Sequence, residues 1–188
     1  MDKIRCGWSE GSEIYKDYHD REWGVPQHDD TVLFEFIVLE GAQAGLSWIT
    51  ILKRREGYRK AFAAFDYEKV AQFSEAKQEE LRQNPEIIRN RLKIKSAVNN
   101  AQQFIKIRKE WGTFSKYLWH FTDGKVVQNS WKTLSEVPVN TPLSDTISKD
   151  LKKRGFTFVG STIIYSLLQA VGVVNDHIQS CYRHKELL

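Results

Sequence analysis

Between Ile94 and Ile105 the apolar residues recur at the spacing of one helical face. Ile94, Ala97, Val98, Ala101, Phe104 and Ile105 share a stripe, with Lys95, Asn99, Gln102 and Lys106 on the other faces. A stripe of that length has to be covered by other elements, and the rest of the chain offers mainly more helices. They are expected from Thr31 as N-cap to about Ala44, from Ser47 to about Arg55, and from Ser144 as N-cap to Arg154, with Gly155 as a C-terminal cap. The run from Gly160 to Val171 is apolar nearly all round, which suits a central buried helix ending at Gly172. Only Phe156–Val159 and Lys125–Val127 read as extended, and neither has the partners a sheet needs. The expected fold class is all-α. With no repeat, low-complexity tract or Gly/Ser/Pro-rich linker, residues 1–188 read as a single compact domain large enough to bury a core.

No apolar run approaches the roughly 18 residues of a membrane helix, and Met1-Asp2-Lys3-Ile4-Arg5 lacks the apolar stretch of a secretory signal. A cytoplasmic monomer with no membrane partner is expected. The net charge of +4 permits contact with phosphate without requiring it. The two cysteines, Cys6 and Cys181, lie far apart in the chain, and in a reducing cytosol a metal or plain burial competes with a disulfide for them.

Twelve residues separate Cys6 from His19, while His177 and Cys181 stand four apart, a spacing that places both on one face of a helix. Two Cys and two His form a soft tetrahedral set suited to zinc, but the spacing is not that of a zinc finger. The pattern therefore leaves open two isolated cysteines and two surface histidines. If a metal is bound, all four positions are filled by protein, and its role is structural: it joins the N- and C-terminal segments, which the chain after Gly172 allows to meet.

Two further segments concentrate chemistry. Tyr18-His19-Asp20-Arg21-Glu22-Trp23-Gly24-Val25-Pro26 shows neither helical nor strand periodicity and reads as a functional loop. In Leu39-Glu40-Gly41-Ala42-Gln43-Ala44-Gly45-Leu46-Ser47-Trp48 an acid follows an apolar helix, and two glycines allow close backbone approach. Glu40 reads equally as a solvated helix-end carboxylate and Trp48 as a core residue.

These motifs, with Arg5-Cys6-Gly7-Trp8, Lys152-Lys153-Arg154-Gly155-Phe156 and Val174-Asn175-Asp176-His177, resemble the DNA-3-methyladenine glycosylase I family of the helix-hairpin-helix superfamily over nearly the whole chain. The resemblance implies base-excision repair: a monofunctional glycosylase that flips 3-methyladenine out of alkylated double-stranded DNA and hydrolyses its N-glycosidic bond. It implies one structural zinc on Cys6, His19, His177 and Cys181. It also implies a base pocket in which Glu40, ionised, reads the base beside a stacking Trp48, Tyr18, and the aromatics Trp8, Tyr15 and Trp23.

The implied hairpin falls at about Leu81 to Ala97, with Arg89, Arg91, Lys93 and Lys153 as backbone contacts and Lys95, Lys152 and Arg154 as further candidates. Glu86 stands where many relatives carry glycine, and Pro85 removes an amide donor, so the turn's grip on phosphate departs from the family pattern. Gly45-Leu46 is the candidate for filling the gap left by a flipped base. Ala97-Val98-Asn99-Asn100-Ala101 holds no match to the catalytic Asp of broader superfamily members, and no lysine matches a lyase nucleophile. The competing reading is a zinc-stapled module that binds damaged DNA without cleaving it; a zinc hydrolase fails because four protein ligands leave no position for water.

Overall fold

The structure, a computed structural model, describes residues 3–188. A short 3-10 turn at Gly7–Gly11 leads into α1 (Glu13–Arg21), α2 (Asp30–Gln43), α3 (Trp48–Leu52), α4 (Arg55–Ala61), α5 (Tyr67–Val70) and α6 (Glu75–Gln83). Then come the long α7 (Arg91–Trp111), α8 (Phe114–Trp119), β1 (Val127–Gln128), α9 (Pro142–Lys153), α10 (Ser161–Ala170), β2 (Val174–Asn175) and α11 (Tyr182–Glu186). The protein is mostly helical, and among the described residues its only sheet is the two-residue parallel pairing of β1 with β2, Val127 opposite Val174. Lys125–Val127 thus finds a partner after all, in the segment directly beyond α10. No helix among the described residues is long and apolar enough to cross a membrane.

The stripe on α7 is buried as its periodicity requires, with Ile94, Ala97, Val98, Ala101 and Phe104 inside. The central position goes to α2, which is buried from Leu33 to Ala42 because α3, α7, α8 and α10 pack round it. Phe104 stacks on Phe114 of α8 at 4.2 Å and meets Phe34 of α2 at 5.4 Å, so one aromatic cluster joins the three helices.

Two expected helix starts shift, and part of an expected loop is helical. Asp29, not Thr31, caps α2, its Oδ1 accepting from the amides of Thr31 and Val32. Thr141 caps α9, with Ser144 as the reciprocal third residue of the capping box, while Gly155 follows the helix at φ +90° as anticipated. Of the segment expected as a loop, residues 22–26 do form turn and loop, but residues 18–21 are the second half of α1, capped at Ser12, whose Oγ accepts from the Tyr15 amide. Its inward residues Tyr15, Tyr18, His19 and Glu22 do keep the i, i+3, i+4, i+7 spacing, hidden because polar and aromatic side chains carry it.

The expected hairpin is present as α6, a turn at residues 84–90, and α7, which Asn90 caps through Leu92 and Lys93 amides. It docks on α4 at Gly57, where an added Cβ would lie 2.5 Å from both the Cβ and the carbonyl oxygen of Glu86. Gly57→Ala is therefore expected to destabilise the protein by about 1–3 kcal/mol through overpacking, against the roughly 1 kcal/mol that helix propensity alone would return. Thermal unfolding decides between them: a raised melting temperature would mean that the hairpin is not seated on α4 as described.

Candidate functional site

A cavity of about 300 Å3 opens between α1, the end of α2, the start of α3 and α10. All six residues expected to form a pocket line it: Trp8, Tyr15, Tyr18, Trp23, Glu40 and Trp48. Trp8, on the 3-10 turn, meets Tyr15 at 5.5 Å and Trp23 at 5.1 Å, both edge to face, and Tyr18 lies 5.6 Å from Trp48. Tyr15 Oη accepts from the Ile49 amide at 2.9 Å, which pins the start of α3, and hence Trp48, to α1. From behind, Phe36 stacks on Trp48 at 6.5 Å, and the Arg55 guanidinium lies over the Phe36 ring at 5.3 Å. Buried Arg55 donates to Glu35 of α2 at 2.6 Å and to Glu22, just past α1, at 2.7 Å, tying together the helices that carry the pocket walls.

Glu40 sits on the last turn of α2 and is only 4% exposed. Its Oε2 and the Trp48 Nε1 are both buried without a hydrogen-bond partner. Native proteins pair almost all such atoms, so two unpaired in one cavity point to a ligand that supplies a donor and an acceptor. Burial alone pushes the Glu40 carboxyl up to about 8. That shift favours the protonated acid near neutral pH, where the family resemblance implies a carboxylate. The solvated helix-end reading of Glu40 fails on the same burial.

The expected phosphate contacts divide. Arg89, Arg91, Lys95, Lys152 and Lys153 are exposed. Lys93 instead turns inward and donates to the carbonyls of Ala42 at 2.8 Å and Ala44 at 2.6 Å, where partial burial lowers its pKa. It thereby caps the C-terminus of α2 and holds the loop carrying Gly45 and the exposed Leu46. Arg154 is likewise engaged, with Asp150 at 2.7 Å and Glu110 at 2.6 Å.

Cys6, His19, His177 and Cys181 converge in a buried cluster whose ligating atoms all lie within 4.8 Å of one another, an arrangement that can hold a metal ion. His177 and Cys181 come together across a turn preceding α11, the Cys181 amide bonding the Ile178 carbonyl, and not on one face of a helix. His177 Nε2 faces the Trp23 carbonyl at 3.1 Å, leaving Nδ1 for the cluster, and His19 Nδ1 faces Asp20 at 2.9 Å, leaving Nε2. Asp20 is partly buried, which opposes ionisation, yet the Arg5 fork on its two oxygens holds its carboxyl below the usual carboxylate range. Gly24, at φ +81°, lets the chain pass the cluster; a Cβ there would sit 3.0 Å from His177 Nε2.

With pocket and cluster in place, the comparison with known proteins is decisive: residues 8–184 match the methyladenine glycosylase family. The chain belongs to that family. The methyladenine glycosylase of Escherichia coli (strain K12), DNA-3-methyladenine glycosylase 1, is 49% identical over 177 residues, 94% of this chain and 95% of that protein. The DNA-3-methyladenine glycosylase of Haemophilus influenzae is 45% identical over 177 residues, 94% of this chain and 96% of its own. Among solved structures, a Staphylococcus aureus 3-methyladenine DNA glycosylase I, described for its recognition of 3-methyladenine, superposes with a TM-score of 0.92 at 38% identity, covering 95% of each chain.

Two lining residues of this methyladenine glycosylase escaped the sequence reading, Gln43 and Ser166. Gln43 carried a usable signal: it lies three residues beyond Glu40, on the same face of α2. Ser166 carried none, being a single polar residue on the apolar α10.

Proposed function

We propose that this methyladenine glycosylase, as a cytoplasmic monomer and a single domain over residues 1–188, extrudes 3-methyladenine from alkylated duplex DNA and hydrolyses its N-glycosidic bond, leaving an abasic site. The observation that carries the reading is the pair of unpartnered buried atoms, Glu40 Oε2 and Trp48 Nε1, inside an aromatic cavity.

Methylation at the minor-groove nitrogen of adenine leaves the base cationic, and a cation departs from deoxyribose without the general acid that a neutral leaving group requires. The pocket then has chiefly to recognise. Stacking of the cation on Trp48 and the neighbouring rings contributes about 0.5–2 kcal/mol per contact. Glu40 accepts from the exocyclic amine; as the cationic base enters, the carboxyl releases its proton to solvent, so acceptor and counter-charge arise together. Water adds to the anomeric carbon as the C–N bond breaks, the base leaves neutral with the bond's electron pair, the water's proton passes to solvent, and Gly45-Leu46 fills the gap in the duplex.

The cluster suits zinc. A tetrahedral ion with bonds of about 2.3 Å to sulfur and 2.0–2.1 Å to nitrogen has sulfur–nitrogen edges of about 3.5–3.6 Å. The separations are 3.6 Å for Cys6–His177, 3.4 Å for Cys181–His19 and 3.5 Å for Cys181–His177. With four protein ligands the zinc is structural, joining the N-terminal segment to the chain beyond α10.

The direct test is to incubate the protein with methylated duplex DNA and identify the released bases by chromatography. Free 3-methyladenine in preference to 7-methylguanine is the expected result. DNA bound without release of any base, by folded and metal-loaded protein, would overturn the enzyme in favour of a binding module.

A further inference from the structure

Helix α2 ends unlike its neighbours. In every other α-helix among the described residues the C-cap amide bonds a carbonyl of its own helix, whereas the amide of Ala44, the C-cap of α2, bonds none. The closing contact comes from another helix. Lys93 Nζ, on the first turn of α7, donates to the carbonyls of Ala42 at 2.8 Å and Ala44 at 2.6 Å, supplying the donors and the positive charge that a helix C-terminus lacks. Beyond this contact the chain turns at Gly45, φ +77°, with the Leu46 amide on the Gln43 carbonyl at 2.6 Å and the Leu46 side chain exposed.

A second prop on the same turn also comes from α7. Buried Asn100 accepts from the Thr157 amide at 2.9 Å and donates to the Thr157 carbonyl at 2.9 Å, while Ser148 of α9 donates to the Val159 carbonyl at 2.6 Å. Between these clamps Phe158 is held at φ +54°, a conformation that a bulky side chain rarely adopts. Its Cβ lies against α2, 3.5 Å from where a Cβ on Gly41 would stand. The last turn of α2 is thus fixed at Gly41 through Phe158 and at Ala42 and Ala44 through Lys93. That turn carries Glu40 and Gln43, both of which line the aromatic cavity. Burial alone raises the Glu40 carboxyl, so Lys93 bears on the backbone there and not on that charge.

We propose that Lys93 is a positioning residue for base excision: by closing α2 it sets how Glu40 and Gln43 meet the base and where the Gly45-Leu46 loop stands. It touches neither base nor phosphate. Because α7 starts where the hairpin turn ends, any shift of the hairpin carries the end of α2 with it. The inference rests on the reading of the protein as a glycosylase that extrudes its base.

Lys93→Met keeps the aliphatic stem and removes the donors. In single turnovers on methylated duplex its release of 3-methyladenine is expected to fall by roughly ten- to a hundredfold, as for a misplaced catalytic geometry. Its salt dependence of binding to a duplex with a stable abasic-site analogue should be unchanged. Lys93→Arg, whose guanidinium can donate to both carbonyls, should recover most of the rate. In the same duplex, 2-aminopurine beside the analogue should brighten with the wild type, as the Leu46 loop unstacks it, and stay dim with Lys93→Met. This readout needs no excision, so a wild type that brightens the probe but releases no base counts against the activity and not against Lys93. Excision by Lys93→Met at the wild-type rate overturns the proposal. So does a slope of log affinity against log salt lower by about 1, which would put Lys93 on a phosphate. Should the variant fail to fold, the Lys93 ammonium resonance of the wild-type protein decides. Slow proton exchange that persists when the duplex is added is expected, and exchange as fast as that of an exposed lysine in the complex overturns the proposal.

Discussion

Glu40→Gln is expected to make the free protein more stable and the enzyme nearly inactive. A carboxyl whose folded-state pKa is raised from an ordinary 4.5 to about 8 is protonated in both states below the lower value and costs nothing there. As pH rises between the two, the unfolded chain ionises while the folded one holds its proton, and stability is lost until pH passes about 8. Each unit of displacement is worth about 1.4 kcal/mol, so at pH 8 to 9 the amide should raise the melting temperature by at least about 5 °C. The gain should vanish near pH 4 to 5. In catalysis the sign reverses, because the amide leaves a buried cationic base without its counter-charge, at a cost of about 3–5 kcal/mol. Release of 3-methyladenine should therefore fall by roughly a hundredfold to several thousandfold.

The same group sets a pH profile. kcat/KM reports the free enzyme, so it should climb with pH toward about 8 in the wild type and lose that arm in the variant. Discrimination should follow, since a protonated Glu40 can donate to a carbonyl at the base edge, as in 3-methylguanine, and a carboxylate repels it. A flat wild-type profile between pH 6 and 9, or a variant with full excision rate, would remove Glu40 from the role of reader.

The second large effect concerns the cluster. If the cluster holds zinc as proposed, Cys181→Ser and His19→Ala are each expected to lower the metal content of the purified protein, together with several kcal/mol of stability; structural zinc in small domains contributes apparent binding energies of about 10–16 kcal/mol. A chelator should lower the melting temperature first and activity only as the fold is lost. Activity that disappeared at once, with circular dichroism unchanged, would show that the metal touches the reaction.

The sequence announces the helices most clearly where apolar residues carry the period, as in α7 and α10. It misleads where the inward face is made of Tyr15, Tyr18, His19 and Glu22, because a helix whose buried side serves a pocket and a metal cluster does not look amphipathic. Lys93 was illegible for another reason. A lysine on a hairpin looks like a surface charge, and only the folded chain brings the end of α2 within its reach. The four metal-ligand candidates are visible as residue types, but their meeting depends on the turn before α11, which spacing cannot supply.

The cluster also makes the chain a ring. Cys6 and His19 wait for His177 and Cys181, and His177 follows His19 by 158 positions. At synthesis rates of about 5–20 residues per second, that is a delay of roughly 8 to 30 s. During this interval α1 lacks the partners that fix His19, and the aromatic wall built on α1 has nothing to close against. A nascent chain thus carries its aromatic pocket unfinished until the segment with His177 and Cys181 has also left the ribosome.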